Sequence, residues 1–66
     1  MFWDFIYNYT PLHFAACNGH LNVIEFLVKQ NVDLNIKEKN GKTPLVLASE
    51  KGKWNVVEFL KNHGGE

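Results

Sequence analysis

Three residues near the start of the chain have side chains that could bind a metal or act in nucleophilic catalysis. His13 and Cys17 are four residues apart, so a helix would place them on one face, and His20 follows shortly after. Zinc accepts imidazole nitrogen and thiolate sulfur, but a structural zinc site needs a fourth ligand, and none is evident nearby. A Cys17 nucleophile would need an oriented base, an oxyanion hole and a pocket. We therefore expect no metal, no cofactor and no enzymatic activity.

The segment that carries these residues is repeated 33 positions later. Thr10–Asp33 aligns with Thr43–Glu66 without a gap, and ten of the twenty-four pairs are identical. In both copies Thr-Pro is typical of a helix start, because the Thr hydroxyl can cap free N–H groups and Pro has no N–H to leave unpaired. The chain is therefore predicted to contain one structural unit twice.

Each unit is predicted to contain two helices. The first begins at Pro11 and ends at a left-handed Gly19; the others cover 21 to about 30, 44–51 and 54–62. The predicted buried positions of the first two helices are Leu12, Ala15, Ala16, Val23, Ile24, Leu27 and Val28, and those of the last helix are Trp54, Val57 and Leu60. Asn40-Gly41 predicts a tight turn between the units, because both residues tolerate positive φ.

The period and the repeated phrase resemble the ankyrin repeat. The residues that agree with its T-P-L-H-x-A-A-x-x-G-H signature are Thr10, Pro11, Leu12, His13, Ala15, Ala16, Gly19 and His20. The segment 31–35 resembles the family's G-A-D-V-N linker, with Asn31 replacing Gly in a left-handed conformation. The resemblance implies an all-α helix-turn-helix stack with a hairpin-like loop between the repeats. It divides the chain into an aromatic arm or cap (1–9), repeat 1 with its linker and turn (10–42) and repeat 2 (43–66).

The resemblance also implies a role for the histidines and a function. In the family the motif His and Thr usually bond across the turn, so repeat 2, with Val46 at the His position, is expected to lack part of that network. Repeats of this kind are similar in function, as protein-binding modules that use turn tips and the exposed face of the first helices. The corresponding positions here are Lys37, Lys39, Asn40, Lys42, Glu50, Lys51, Cys17 and Asn18. The alternative is a fragment of a longer array whose function lies in missing repeats.

The distribution of charge points to the kind of partner. Residues 37–53 carry five lysines against two glutamates, a formal charge of +3, and the rest of the chain carries −3. We expect a protein partner with acidic surface at the contact, and neither nucleic acid nor membrane, because the net charge is zero and no apolar run approaches the ~20 residues of a membrane span. A lone cysteine and the absence of a secretory signal predict a cytoplasmic protein, with the nucleus as the alternative.

The first nine residues form an aromatic arm. Five of the nine aromatic residues of the chain lie there: Phe2, Trp3, Phe5, Tyr7 and Tyr9. One interpretation is a cap that folds back over repeat 1. The other is a surface for a partner, for a second copy of the chain or for a neighbouring repeat.

Overall fold

The computed structural model describes residues 9–66, so the predicted packing of the aromatic arm falls almost entirely outside the described residues. Four helices follow one another: α1 (Pro11–Asn18), α2 (Leu21–Lys29), α3 (Pro44–Glu50) and α4 (Trp54–Asn62). Residues 9–66 contain no strand. The all-α stack of two helix pairs is confirmed, and the predicted ends of α2 and α3 differ from the observed ones by a single residue.

The two first helices begin in the same way. Thr10 and Thr43 precede α1 and α3 in extended conformation, and their hydroxyl oxygens accept the N–H of His13 and Val46 at 3.4 and 3.3 Å. Gly19 caps the C-terminal end of α1 in the left-handed region at φ 73°, as predicted. A hydroxyl cap of this kind satisfies an N–H that the helix leaves without a partner, which fixes where each helix starts.

The linker between the repeats is closed by a hairpin-like turn. The Gly41 N–H donates to the Glu38 carbonyl at 2.8 Å, and the Glu38 N–H donates to the Lys42 carbonyl at 2.9 Å. The predicted tight turn is present: Gly41 lies at φ 80°, whereas Asn40 does not have a positive φ, so only the glycine of the pair uses the left-handed region. The geometry is that of a three-residue loop ending in a left-handed glycine, in which only the last position requires glycine.

Apolar side chains from both repeats form one core. Its fully buried members are Leu12, Ala15, Ala16, Ile24, Ala48, Val56, Val57 and Leu60. α1 packs on α3 across the repeat boundary, and α2 packs on α4. The small side chains at Ala15, Ala16 and Ala48 let the first helices approach closely. Because the core contains residues of both repeats, neither repeat could bury its own apolar surface without the other.

Two predicted core positions lie at the surface. The side chain of Trp54 is 65% exposed, and Val56 occupies the buried position beside Val57 and Leu60 instead. Trp54 is the first residue of α4, where a side chain points back beyond the helix start, and its indole nitrogen lies near Gly52. Val23 is also exposed, so the apolar stripe of α2 is wider than the part that the core covers.

Candidate functional site

The turn tip, residues 37–42, presents polar side chains at the loop between the repeats. Lys37, Lys39 and Asn40 are exposed, and Lys42 is half-buried. The carboxylate of Glu38 faces the turn itself, where it accepts the backbone N–H of Asn40 and, at 3.2 Å, that of Lys42. The turn tip therefore uses its one acidic side chain to hold its own backbone, which leaves the lysines to define the charge of the outer surface.

The turn tip is joined to the first helix of repeat 2 by an ion pair. The ammonium of Lys42 lies 2.9 Å from the carboxylate of Glu50, and both side chains are partly exposed to solvent. The hydrogen bond and the charge of Glu50 raise the pKa of Lys42. The pKa of Glu38 is lowered: desolvation of its carboxyl opposes this shift, and the N–H donors of Lys42 and Asn40 outweigh it. Two of the predicted contact residues, Lys42 and Glu50, are thus brought together.

The remaining predicted contact residues lie at the ends of the first helices. Lys51 is exposed directly after α3, and Asn18 is exposed at the end of α1. The Asn18 amide donates to the Phe14 carbonyl in its own helix at 2.9 Å. Cys17 is a half-buried free thiol beside Tyr9, and desolvation together with the nearby Cys17 raises the pKa of the Tyr9 hydroxyl. These residues lie in the first helices or directly after them, and their contact with a partner stays a prediction.

Both ring nitrogens of His13 make contacts within the fold. Its side chain is fully buried. Nδ1 accepts the N–H of Thr10 at 3.0 Å, and Nε2 donates to the carbonyl oxygen of Ile36 at 2.8 Å. A carbonyl can only accept, so the neutral tautomer with the proton on Nε2 fits both contacts. His13 thus closes the start of α1 and ties it to the linker 23 residues later.

The other residues considered for metal binding or catalysis do not form a metal-binding cluster with His13 within residues 9–66. The His20 side chain is exposed with its ring 6.2 Å from that of Phe14. Within residues 9–66, no three His, Cys, Asp or Glu side chains come together in a way that could hold a metal ion. Both ring nitrogens of His13 are engaged, so it could serve as a metal ligand or general base only by giving up one of these bonds.

An apolar surface of repeat 1 was not predicted as a site. We define the front face as Thr10, Pro11, Phe14, Val23 and Leu27. The residues 33 positions later are all buried: Thr43, Pro44, Leu47, Val56 and Leu60. On the front face, by contrast, Pro11 is exposed, Phe14 is 55% exposed and Val23 is 40% exposed. The alignment of the two repeats could have indicated this surface, since it pairs each front-face residue with a residue that is buried in repeat 2.

A pocket opens beside the front face. Its volume is about 310 Å³, and its walls are formed by Thr10, Pro11, Leu12, Leu27, Val32, Asp33 and Ile36. Three of these residues also belong to the front face, and most of the lining is apolar. The pocket is therefore continuous with the apolar surface that repeat 1 leaves uncovered among the described residues.

No helix within residues 9–66 combines the length and the apolar character needed to cross a membrane.

Comparison with known proteins shows the family to which the chain belongs. A probable E3 ubiquitin-protein ligase of Oryza sativa subsp. japonica is 41% identical over 51 residues, which cover 77% of this chain and 10% of that protein. A serine/threonine-protein kinase of Arabidopsis thaliana is 38% identical over 56 residues, 85% of this chain and 13% of the kinase.

An alpha-latrotoxin of Latrodectus hasselti is 43% identical over 56 residues, 85% of this chain and 4% of the toxin. The chain thus spans between 4% and 13% of the length of these relatives. Residues 4–66 match the family profile described as Ankyrin repeats (3 copies). The matched segment begins six positions before Thr10 of repeat 1. With the Thr-Pro caps, the paired helices and the buried motif histidine, this match shows that the chain belongs to the ankyrin-repeat family.

Proposed function

We propose that this chain is a non-catalytic protein-binding module that uses the turn tip and the exposed ends of the first helices to bind an acidic surface of a protein partner. Ankyrin repeats are protein-interaction modules, and the finer assignment rests on this chain's own charges. The observation that carries it is the exposure of Lys37 and Lys39 at the turn tip, where the carboxylate of Glu38 turns inward to the backbone.

The ion pair between Lys42 and Glu50 distinguishes these two residues from the other proposed contact residues. A lysine that is already held at 2.9 Å by a carboxylate would have to exchange that partner for a new one, with little net gain. Lys37, Lys39 and Lys51 are exposed and lie in the segment of formal charge +3. We therefore assign a structural contribution to Lys42 and Glu50. Because the side chains of Lys37, Lys39 and Lys51 are exposed, we assign the main electrostatic contribution to these three lysines.

The experiment compares two lysine-to-alanine variants of the 66-residue chain against a captured protein partner. The first replaces Lys37, Lys39 and Lys51. The matched control replaces Lys29 and Lys61, which are exposed in the last turns of α2 and α4, outside the proposed surface. We expect the first variant to bind several-fold more weakly, chiefly through slower association, and the control to bind like the unmodified chain.

Salt provides the second measurement. The Debye length falls from about 10 Å to about 3 Å between 0.1 and 1 M salt, so binding of the unmodified chain should weaken over that range. The triple variant should lose most of this salt dependence, and the control should retain it. Equal affinity of the unmodified chain and the triple variant would contradict the proposed surface, while leaving the family assignment intact.

A cytoplasmic location forms part of the same proposal. The chain contains a single cysteine, Cys17, whose thiol is free, and this is the usual state in a reducing compartment. Imaging of the tagged full-length protein tests this location against the nucleus.

A further inference from the structure

The loops that join the two helices within each repeat form one edge of the molecule. We define the loop edge as residues 18–22 and 51–55. Lys53 connects the two loops: a side-chain carbon added at Gly19 would come within 3.0 Å of its Cδ, so the lysine stem runs beside the loop of repeat 1. The loop edge is therefore a continuous surface that both repeats contribute to.

Trp54 presents a large apolar side chain at the loop edge. It is 65% exposed, whereas Leu21, at the same position of repeat 1, is half-buried and packs against the core. An indole combines an apolar ring with one N–H donor, and this combination makes Trp frequent among the residues that dominate binding at protein interfaces. The fold of repeat 2 thus leaves most of this side chain available to a partner.

The formal charge of the loop edge is positive. Its charged side chains are those of Lys51 and Lys53, and it contains no Asp or Glu. Within residues 9–66 neither lysine forms an ion pair. Glu50, directly before the second loop, has its carboxylate 2.9 Å from the ammonium of Lys42. The exposed indole is therefore flanked by two cations on a surface without carboxylates of its own.

We propose that the loop edge binds an acidic segment of a protein partner that carries an apolar side chain. The apolar side chain packs on the indole of Trp54, and carboxylates of the segment pair with Lys51 and Lys53. The segment binds at the end of α3 opposite to the turn tip, about 10 Å away along this seven-residue helix. Lys51 is shared with the surface proposed above, whereas Trp54 and Lys53 lie outside it, so this assignment does not depend on the turn tip.

A nucleic acid also combines negative charge with flat aromatic groups, but the charges next to the loop edge disfavour it. Every nucleotide carries a phosphate, so a bound strand would extend beyond the two lysines. Glu25 and Glu58 are exposed on α2 and α4, the helices that begin at the loop edge. Their carboxylates repel a long polyanion, whereas a short acidic segment does not have to pass them.

Fluorescence anisotropy of dye-labelled peptides tests the proposal on the 66-residue chain. The probe is a short peptide of glutamates around one phenylalanine. One control peptide replaces the phenylalanine by alanine, and the other replaces the glutamates by lysines. We expect saturable binding of the probe, several-fold weaker binding of the alanine peptide and no binding of the lysine peptide.

Substitutions then locate the bound peptide. Trp54→Leu, which gives repeat 2 the residue of repeat 1, and Lys53→Met, which keeps an unbranched stem and removes the charge, should each weaken probe binding several-fold. Lys61→Met removes the same charge from the last turn of α4 and should bind the probe like the unmodified chain. The double variant Lys37→Ala/Lys39→Ala should also bind it normally at about 0.15 M salt, where the Debye length is about 8 Å. Circular dichroism checks that each variant is helical, and Lys53→Met decides if Trp54→Leu does not fold.

Four results would overturn the proposal. Absence of saturable probe binding would remove the site. Unchanged binding by the folded Trp54→Leu and Lys53→Met variants would place the peptide elsewhere on the molecule. Tighter binding of a thymidine oligonucleotide than of the probe would make nucleic acid the occupant. A dimer in sedimentation velocity that Trp54→Leu abolishes would make a second copy of the chain the occupant.

Discussion

Repeat 1 and repeat 2 begin with the same Thr-Pro-Leu, yet the fourth residue of the motif behaves differently in each. His13 is fully buried and connects the Thr10 N–H to the carbonyl of Ile36. Val46 is half-buried at the equivalent place, and Thr43 caps α3 through its hydroxyl. The histidine ties a helix start to a distant linker, whereas the valine only fills space, so the same helix start is held by a network in one repeat and by a single cap in the other.

Identical residues differ between the repeats as well. Leu27 and Leu60 are the same residue at the same motif position, and only Leu60 is fully buried, because repeat 1 covers repeat 2. The comparison shows that the energetic weight of a motif residue is set by what lies on either side of its repeat. In a stack stabilised by nearest-neighbour interfaces, position in the array matters as much as residue type.

Truncation of the two leucines is expected to give the largest effect. Leu60→Ala should destabilise the chain by about 2–5 kcal/mol, since it removes a fully buried side chain and leaves a cavity at the repeat interface. Leu27→Ala should cost at least about 1 kcal/mol less, because its pocket is already open at one side. Urea unfolding followed by circular dichroism measures both, and equal losses would show that the front face is buried as completely as the interface.

Exchange of the motif histidine is the next largest test. His13→Val, which gives repeat 1 the residue of repeat 2, leaves the Ile36 carbonyl and the Thr10 N–H without their partner and should cost about 1–3 kcal/mol. The reverse change, Val46→His, offers the Thr43 N–H a new acceptor and should stabilise by about 0.5–1.5 kcal/mol. Thermal melts of both variants give the answer. A large loss from Val46→His would mean that burial of the imidazole outweighs the new bond.

The sequence was sufficient for the helices, the caps and the left-handed positions, because these depend on local chemistry. Asn31 illustrates this: it lies at φ 59° where the family has glycine, as predicted from the tolerance of Asn for that region. Trp54 shows the limit, because a large apolar residue at the first position of a helix packs according to its neighbours and not according to the helical stripe. The alignment of the two repeats indicates which residues form the front face, but the exposure of these residues depends on what lies beyond repeat 1 and could not be predicted.

The candidate contact surface was predictable in position and not in detail. That Lys37, Lys39 and Asn40 lie at an exposed turn followed from the Asn-Gly pair and the repeat. That Glu38 would accept N–H groups within the turn, and that Lys42 would pair with Glu50, depends on side-chain directions that no local pattern contains. These two contacts fix the positions of the Glu38 carboxylate and the Lys42 ammonium at the turn tip.

Two glycines that end equivalent first helices offer a finer comparison. Gly19 and Gly52 both lie in the left-handed region, at φ 73° and 71°, so alanine at either position should cost about 1–2 kcal/mol. A side-chain carbon at Gly19 would come within 3.0 Å of the Lys53 Cδ, whereas at Gly52 the nearest atom, the Trp54 Nε1, is 3.9 Å away. Gly19→Ala should therefore be the more harmful by a few tenths of a kcal/mol, since the flexible lysine can move aside. Urea unfolding of the two variants measures the difference, and a larger loss from Gly52→Ala would contradict it.

The smallest effect is expected at the turn tip, in acid. Because the folded-state pKa of Glu38 is lowered, its ionised carboxylate stabilises the folded chain above the pKa of the unfolded state, and this contribution is lost as the pH falls through the folded-state pKa. Glu38→Gln should lower the melting temperature slightly at pH 7 and leave it closer to that of the unmodified chain at pH 3. Glu58→Gln removes the same charge from an exposed position of α4 and is the control. If Glu38→Gln lowered the melting temperature equally at both pH values, its effect would come from the shape of the turn and not from the charge that Asn40 and Lys42 stabilise.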